Sequence, residues 1–304
     1  MMFSIIIPVY NQEKLIGRAL ESVIAQMHLN WEAIVVDDGS TDTTEAIVEE
    51  FCRKDTRIRY FRLFPNSGLP AVTRNAGLKM AKAEAIAFLD SDDFFYPEKL
   101  KVVKSIFDQH SDVNLVSHGL VFKDNGRIVE KRLCGPHKTF EDMLFQGNPF
   151  VTSSVVMRKT LVEKTGLFNE AYNFKGVEDY DYWLRSAAHA KIFYSKEILG
   201  EYTITHSGVS SRIAEHYDNT INLLEEHFSC LDRNSSKIQT LMKSRRALAF
   251  RTAAREFYSC DSMNEAEVYL KKAIQENPRV WKQWGLMALI NFRKIFGFKL
   301  IPSV

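Results

Sequence analysis

Apolar positions along the first third of the chain fall in short continuous runs separated by helically spaced stretches. Ser4-Ile5-Ile6-Ile7-Pro8-Val9-Tyr10-Asn11 reads as a buried strand ending at a turn, and Trp31-Glu32-Ala33-Ile34-Val35-Val36 as a second one. Between them Leu15, Ala19, Leu20, Val23 and Ile24 recur with the spacing of one helix face. The result is a βαβ unit. Continuous apolar strands alternating with amphipathic helices predict an α/β fold whose mostly parallel sheet is covered on both faces and binds ligands beyond the carboxyl ends of its strands.

Two acidic turns fall at such ends. Val36 runs into Asp37-Asp38-Gly39-Ser40-Thr41-Asp42, and Ala87-Phe88-Leu89 delivers Asp90-Ser91-Asp92-Asp93. Clustered carboxylates at the end of a buried strand need a cation. Hard divalent ions such as Mg²⁺ and Mn²⁺ take oxygen ligands and share them with substrate phosphates, so Asp90 and Asp92 suggest a metal and diphosphate site. The competing reading is a solvated turn. Asp37, Asp38, Asp90 and Asp92 are expected to converge on one crevice, with Asp38 accepting an N–H of a base and Asp92 holding the metal.

Further along, Asn66-Ser67-Gly68 reads as a turn and Ala71 to Ala81 as a helix carrying Arg74 and Asn75 near its start, where anions are favoured. Tyr96-Pro97-Glu98-Lys99-Leu100 reads as a helix start with Pro97 in the first turn. Phe150 to Arg158 reads as a strand and Leu161 to Glu170 as a short helix and turn. In Gly176-Val177-Glu178-Asp179-Tyr180-Asp181-Tyr182-Trp183 carboxylates precede an aromatic helix face, which puts Glu178 and Asp179 at a helix N-terminus. Capping by the helix dipole explains one such acid, and two with more difficulty.

Beyond residue 215 helix formers dominate. Ala254, Phe257, Ala266, Leu270, Ala273 and Pro278 have the spacing of one tetratricopeptide repeat. One repeat cannot build a solenoid, so a helical hairpin is expected. From Trp281 to Val304 the chain has Lys282, Arg293, Lys294 and Lys299 but no acid, interleaved with Trp281, Trp284, Phe292, Phe296 and Phe298. That pattern suits either a terminal helix docked on its neighbours or a helix lying at a membrane interface.

Composition narrows the classes. At 304 residues and 45% hydrophobic, the chain can bury one large core and carry an appendage. A formal net charge of +2 and the absence of an Arg-rich cluster interleaved with aromatics argue against nucleic acid as partner. Cys52, Cys134, Cys230 and Cys260 are far apart and read as reduced thiols, not a zinc site. Met1 to Ser4 lacks a basic n-region, and no run reaches 18 apolar residues. A cytoplasmic protein is expected, with any membrane contact peripheral at the inner face of the cell membrane.

Five motifs taken in order, Pro8-Val9-Tyr10-Asn11, Val36-Asp37-Asp38-Gly39-Ser40, Arg74-Asn75-Ala76-Gly77, Leu89-Asp90-Ser91-Asp92-Asp93 and Glu178-Asp179-Tyr180-Asp181, resemble the family 2 glycosyltransferases over roughly residues 3 to 215. The resemblance implies an inverting enzyme of the GT-A fold, a Rossmann-like sheet flanked by helices, here with a C-terminal helical extension. It implies a nucleotide-sugar-binding half over 1–110, an acceptor-binding and catalytic half over 111–215, and the extension over 216–304.

It also implies roles. Pro8, Tyr10, Asn11, Asp38, Arg74, Asp90, Ser91 and His206 would surround the nucleotide sugar, Tyr10 as a stacking face and Arg74 near the phosphates or base. Asp92, Asp90 and His206 would hold a divalent cation, Mn²⁺ or Mg²⁺, and Asp179 beside Glu178 would be the general base. His206-Ser207-Gly208-Val209-Ser210-Ser211 resembles the segment that closes over the diphosphate, although the arginine that many relatives carry just before it is replaced by Tyr202-Thr203-Ile204-Thr205. The function implied is transfer of a sugar from a UDP donor to a glycan or lipid-linked acceptor in polysaccharide or glycolipid synthesis. The alternative is a catalytically silent sugar-nucleotide or glycan-binding module with a helical, partner-recruiting tail.

Overall fold

The computed structural model describes residues 1–204 and 209–296. These fall into two compact units, one within Met1–Met143 and Gly147–Thr205, the other within Leu144–Gln146 and His206–Val304.

The first unit is α/β. Its elements run β1 (Phe3–Val9), α1 (Ile16–Ile24), β2 (Trp31–Asp37), α2 (Thr44–Lys54), β3 (Ile58–Arg62), α3 (Pro70–Met80), β4 (Ala85–Phe88), β5 (Phe94–Phe95), α4 (Lys99–Gln109), β6 (Leu115–Asp124) and β7 (Arg127–Arg132). They continue through α5 (Phe140–Gln146), of which Leu144–Gln146 belongs to the second unit, β8 (Val155–Arg158), α6 (Lys159–Thr165), α7 (Glu178–Ala187) and β9 (Ile192–Ile204). The sheet order is β3-β2-β1-β4-β8-β6-β9-β5, with β7 paired on β6. The first four strands are parallel, as continuous apolar runs joined by crossover helices demand. β8 is antiparallel to both β4 and β6, so the sheet changes direction beside the strand that carries Asp90.

Ile5, Ile7, Ala33, Val35, Ala87 and Val156 share one core with Ala19, Leu20 and Val23 of α1 and Leu100, Val103 and Phe107 of α4. Pro8 sits in β1 beyond Ile6, the last residue paired with β4, so its missing N–H leaves no ladder bond unmade on that side. α3 lies close over β1. A Cβ on Gly77 would come within 2.6 Å of Ile6 Cγ2, and this close approach brings Arg74, one turn earlier, down onto the strand ends.

Phe150 to Arg158 is only partly the strand that its composition predicts. Thr152–Ser154 forms a single 3₁₀ turn and the strand starts at Val155. The backbone N–H and the hydroxyl of Ser154 both bond the Val151 carbonyl at 2.7 Å, and short hydroxyl side chains of this kind divert the backbone from a ladder.

The second unit is helical: α8 (Val209–Ser229), α9 (Ser236–Ser259), α10 (Met263–Glu276) and α11 (Trp281–Phe296). Ala254, Phe257, Ala266, Leu270 and Ala273 meet in one apolar core with Ile213, Tyr217 and Ile290. Pro278 follows the end of α10 and stops it. On α11 Ile290 is buried, while Trp281, Trp284 and Ile295 are exposed. Arg293 pairs with Asp261, and Lys294 with Glu267, so two of the tail's cations are neutralised within their own unit. Among the described residues no helix is long and apolar enough to cross a membrane. Residues 297–304, including Phe298 and Lys299, lie outside the described residues.

Candidate functional site

The two acidic turns stand at the carboxyl ends of β2 and β4, with Tyr10 and Asn11 at the end of β1. Asp37 is fully buried and accepts from Ser40 N at 2.8 Å, from its hydroxyl at 2.7 Å and from Tyr60 Oη at 2.6 Å. Asp38 accepts from Ser67 N at 2.9 Å, Ser67 Oγ at 2.8 Å and Gly68 N at 2.9 Å. Its carboxylate thus orders the 66–68 turn, and the acceptor expected to face a base is bonded first to its own loop. Gly39 makes this turn with φ +76°, a region that side chains disfavour. Asn11, at φ 50°, stitches the β1 and β2 ends together: its N–H donates to Ser40 Oγ at 2.9 Å and its side-chain oxygen accepts from Thr41 N at 2.8 Å. Tyr10 is 47% exposed, its ring available to a flat ligand.

The Asp90 turn is anchored from both ends. Asp90 N–H donates to Ser153 Oγ at 3.0 Å, and the Asp93 carboxylate accepts from Thr203 N at 2.9 Å. Lys99, wholly buried, donates to the Ser153 carbonyl at 2.7 Å from the base of the same turn. Burial pushes the Lys99 amine well below its ordinary range and the Asp93 carboxyl well above its own, with Asp92 adding to the latter. Ser91 is buried. Asp92 has no ion pair among the described residues, and burial, then the charge of Asp90, pushes its carboxyl up to about 6. A carboxylate held close to a second one, with no cation of its own, fits a hard divalent ion. Among the described residues no group of three or more His, Cys, Asp or Glu side chains could hold a metal ion.

α7 supplies the other acids. Its axis starts at Glu178, whose Oε1 accepts from Arg74 Nη1 at 2.7 Å while Oε2 accepts from Gly176 N at 2.7 Å. Arg74 Nη2 reaches Asp90 Oδ1 at 2.9 Å. Arg74, expected near the phosphates or base, is 6% exposed and bound between two carboxylates. Among the described residues Asp179 has no cationic partner at bonding distance. Its Oδ1 accepts from Tyr180 N at 2.7 Å and its Oδ2 from Thr152 Oγ1 at 3.3 Å. Burial, then Glu178, pushes its carboxyl up to about 6.

Arg74, Asp90, Glu178 and Asp179 line a cleft of about 340 Å³ together with Thr152, Phe122, Arg132 and Tyr202. Asp92 does not line it, yet the charges of both Asp92 and Asp179 bear on Tyr202. A larger hollow of about 580 Å³ beside β3, lined by Glu49, Cys52 and Tyr60, holds none of these carboxylates. Convergent polar groups, not volume, mark the site. His206 lies outside the described residues, as do the side chains of Val209 to Arg212. The sequence reading missed Thr152, Phe122, Arg132 and Tyr202. The signal for Thr152 was its place in the unusual Thr-Ser-Ser run; the others carry none outside the folded sheet.

Residues 4–166 match the family described as Glycosyl transferase family 2. An uncharacterized glycosyltransferase of Rickettsia felis is 34% identical over 195 residues, 62% of this chain and 31% of the relative, so the chain spans about a third of that protein's length. The putative teichuronic acid biosynthesis glycosyltransferase TuaG of Bacillus subtilis is 32% identical over 213 residues, 69% of this chain and 82% of the relative. Among solved structures, S. aureus TarS 1-349 in complex with UDP-GlcNAc superposes with a TM-score of 0.68 at 21% identity, covering 98% of this chain and 92% of TarS 1-349. The mannosyltransferase PcManGT from Pyrobaculum calidifontis, in complex with GDP-Man and Mn²⁺, gives 0.61 at 16% identity, covering 98% and 88%. At these identities the structural likeness is one of fold.

Proposed function

The chain belongs to glycosyltransferase family 2 and is a glycosyltransferase, and from that premise we propose that it moves a sugar from a UDP donor to a glycan or lipid-linked acceptor, with inversion, in polysaccharide or glycolipid synthesis. The observation that carries this reading is that Asp90 and Asp179, remote in sequence, line one cleft with Arg74, which bonds Asp90 itself and Glu178, the acid next to Asp179. The TarS complexes with UDP and UDP-GlcNAc and the biosynthetic name of TuaG support the donor and pathway class.

Asp179 takes the proton of the acceptor hydroxyl as that oxygen attacks the anomeric carbon. The bond from that carbon to the diphosphate breaks, and its electron pair leaves with the nucleoside diphosphate. One base and one displacement invert the centre. Asp92 and Asp90 would hold Mn²⁺ or Mg²⁺, which when bound neutralises charge gathering on the leaving diphosphate. Tyr10 stacks the base, Asn11, Asp38 and the 66–68 turn frame it, and Pro8 and Ser91 shape the strand ends below. His206 is retained as a diphosphate or cation contact. The exposed Trp281, Trp284 and Ile295 face of α11 supports peripheral contact with the inner face of a membrane.

The test is metal-stimulated release of nucleoside diphosphate from a panel of nucleotide sugars, comparing the native chain with Asp92→Ala and Asp179→Asn. Turnover by the native chain and its loss in both variants are expected. If the native chain binds donor but its turnover equals that of the variants, the proposal fails in favour of a silent binding module.

A further inference from the structure

Three side chains that the mechanism leaves unused stand in a row across three neighbouring strands. Tyr202 of β9 is the register partner of Phe122 of β6, and their ring centroids are 4.9 Å apart. The Arg132 guanidinium of β7 lies 4.2 Å from the Phe122 centroid. Paired residues on adjacent strands project to one face of the sheet, and Arg132 pairs with Leu120, two residues before Phe122 and on the same face of β6, so the three form a continuous surface. All three line the cleft that contains Asp179, whereas Tyr10, Asn11 and Asp38 do not.

Phe122 is 7% exposed and acts as the packed support. The two side chains it braces keep polar groups for something else. The Tyr202 hydroxyl makes no hydrogen bond among the described residues and stays protonated, since burial, then the charge of Asp93, raises its pKa. Arg132 gives Nε and Nη2 to Glu130 and retains Nη1, on a side chain about half exposed. An aromatic face flanked by a phenol and a guanidinium suits a pyranose, which has apolar C–H faces and a rim of hydroxyls. The cleft, near the lower end of ligand-pocket volumes, has room for a unit of that size.

We infer that Tyr202 and Arg132, braced by Phe122, form the acceptor subsite, binding a hexopyranose ring so that one of its hydroxyls faces Asp179. This rests on the glycosyltransferase reading and names the acceptor's class at the same site. The ring contact comes from Tyr202, and the Arg132 fork meets a hydroxyl or other oxygen on the ring's rim.

Saturation-transfer NMR on the full chain with saturating UDP would read binding of p-nitrophenyl glycosides of glucose, galactose, N-acetylglucosamine and rhamnose. UDP affinity is measured in parallel. At least one glycoside is expected to bind the native chain, and Tyr202→Leu and Arg132→Ala are expected to weaken it by about tenfold or more with UDP affinity unchanged. Tyr202→Phe, which keeps the ring and the packing, should weaken it only about three- to tenfold, the loss of one hydrogen bond. Asp179→Asn should keep glycoside binding. If no glycoside binds, or if the Tyr202 and Arg132 variants bind it as the native chain does, or if they lose UDP equally, the subsite is refuted. Glycoside binding that depends on Tyr202 in a chain with no turnover would uphold the subsite while sinking the proposed activity.

Discussion

Glu178 accepts a hydrogen bond of 2.7 Å from Arg74, a residue 104 positions earlier, and the same guanidinium bonds Asp90 at 2.9 Å. A single buried cation therefore fixes the start of α7 against the Asp90 turn. Removing one partner of a buried ion pair leaves uncompensated charge, at about 3–5 kcal/mol. Arg74→Ala leaves two, Glu178 buried and Asp90 about a quarter exposed. A loss of stability of that order is expected, lowering the melting temperature by roughly 2–4 °C for each kcal/mol in a unit of this size. Arg74→Lys keeps the charge but has no fork to span both acids. It should recover part of the stability and little of the turnover; equal melting of native and Arg74→Ala chains by calorimetry would contradict the bridge.

Asp179 must be ionised to accept a proton, and its carboxyl is pushed up to about 6 by burial and then by Glu178. Its charged form is populated above that value, so turnover should rise with pH through about 6 and fall away on the acid side. Thr152 Oγ1 donates to the carboxylate at 3.3 Å and favours the charged form. Thr152→Val removes that donor, which should move the acid limb to higher pH, and Thr152→Ser should restore it. Asp179→Asn should lower kcat by about 10²–10⁴-fold, the range of general-base contributions, with donor KM little changed. A pH–rate profile for each variant decides the matter.

The metal prediction follows from Asp92. Its carboxyl, raised to about 6 by burial and by Asp90, has to lose a proton before it can bind a cation. Metal affinity should therefore weaken below pH 6 and strengthen above it, with proton release on binding. Calorimetric titration of Mn²⁺ into the chain with UDP, at pH 5.5 and 7.5 in buffers of different ionisation enthalpy, measures both. Asp92→Asn should abolish the pH dependence and most of the binding. Affinity independent of pH in the native chain would remove Asp92 from the ligand set.

Much of this arrangement was legible because it is local. The apolar runs ending in Asp37 and Asp90 specify strand ends, and Glu178 with Asp179 before an aromatic face specifies a helix start. What each acid bonds was not legible. Asp38 lies beside the 66–68 turn only because β2 and β3 are adjacent, and Arg74 meets Glu178 only because Gly77 lets α3 settle onto Ile6. Phe122 and Arg132 belong to no motif in the sequence and Tyr202 stands only where many relatives carry an arginine, and their alignment depends on a register between β6, β7 and β9 that no local pattern encodes. Thr152-Ser153-Ser154 reads as strand because its flanks are apolar, whereas the Ser154 hydroxyl bonds the Val151 carbonyl within a 3₁₀ turn.

The exposed face of α11 yields the last prediction. Trp281 is 74% exposed, Trp284 53% and Ile295 72%, an apolar stripe on a helix whose Arg293 and Lys294 are already paired with Asp261 and Glu267. Binding of such a helix to a bilayer surface should be driven by aromatic insertion, with a minor contribution from unpaired cations such as Lys282. Sedimentation with vesicles of phosphatidylcholine containing phosphatidylglycerol should then show association that falls little between low salt and 0.5 M salt. It should be lost in Trp281→Ser combined with Trp284→Ser and in a chain lacking residues 281–304. Association abolished by salt would transfer the role to the tail's cations, and association that survives deletion of 281–304 would take the membrane contact away from α11 altogether.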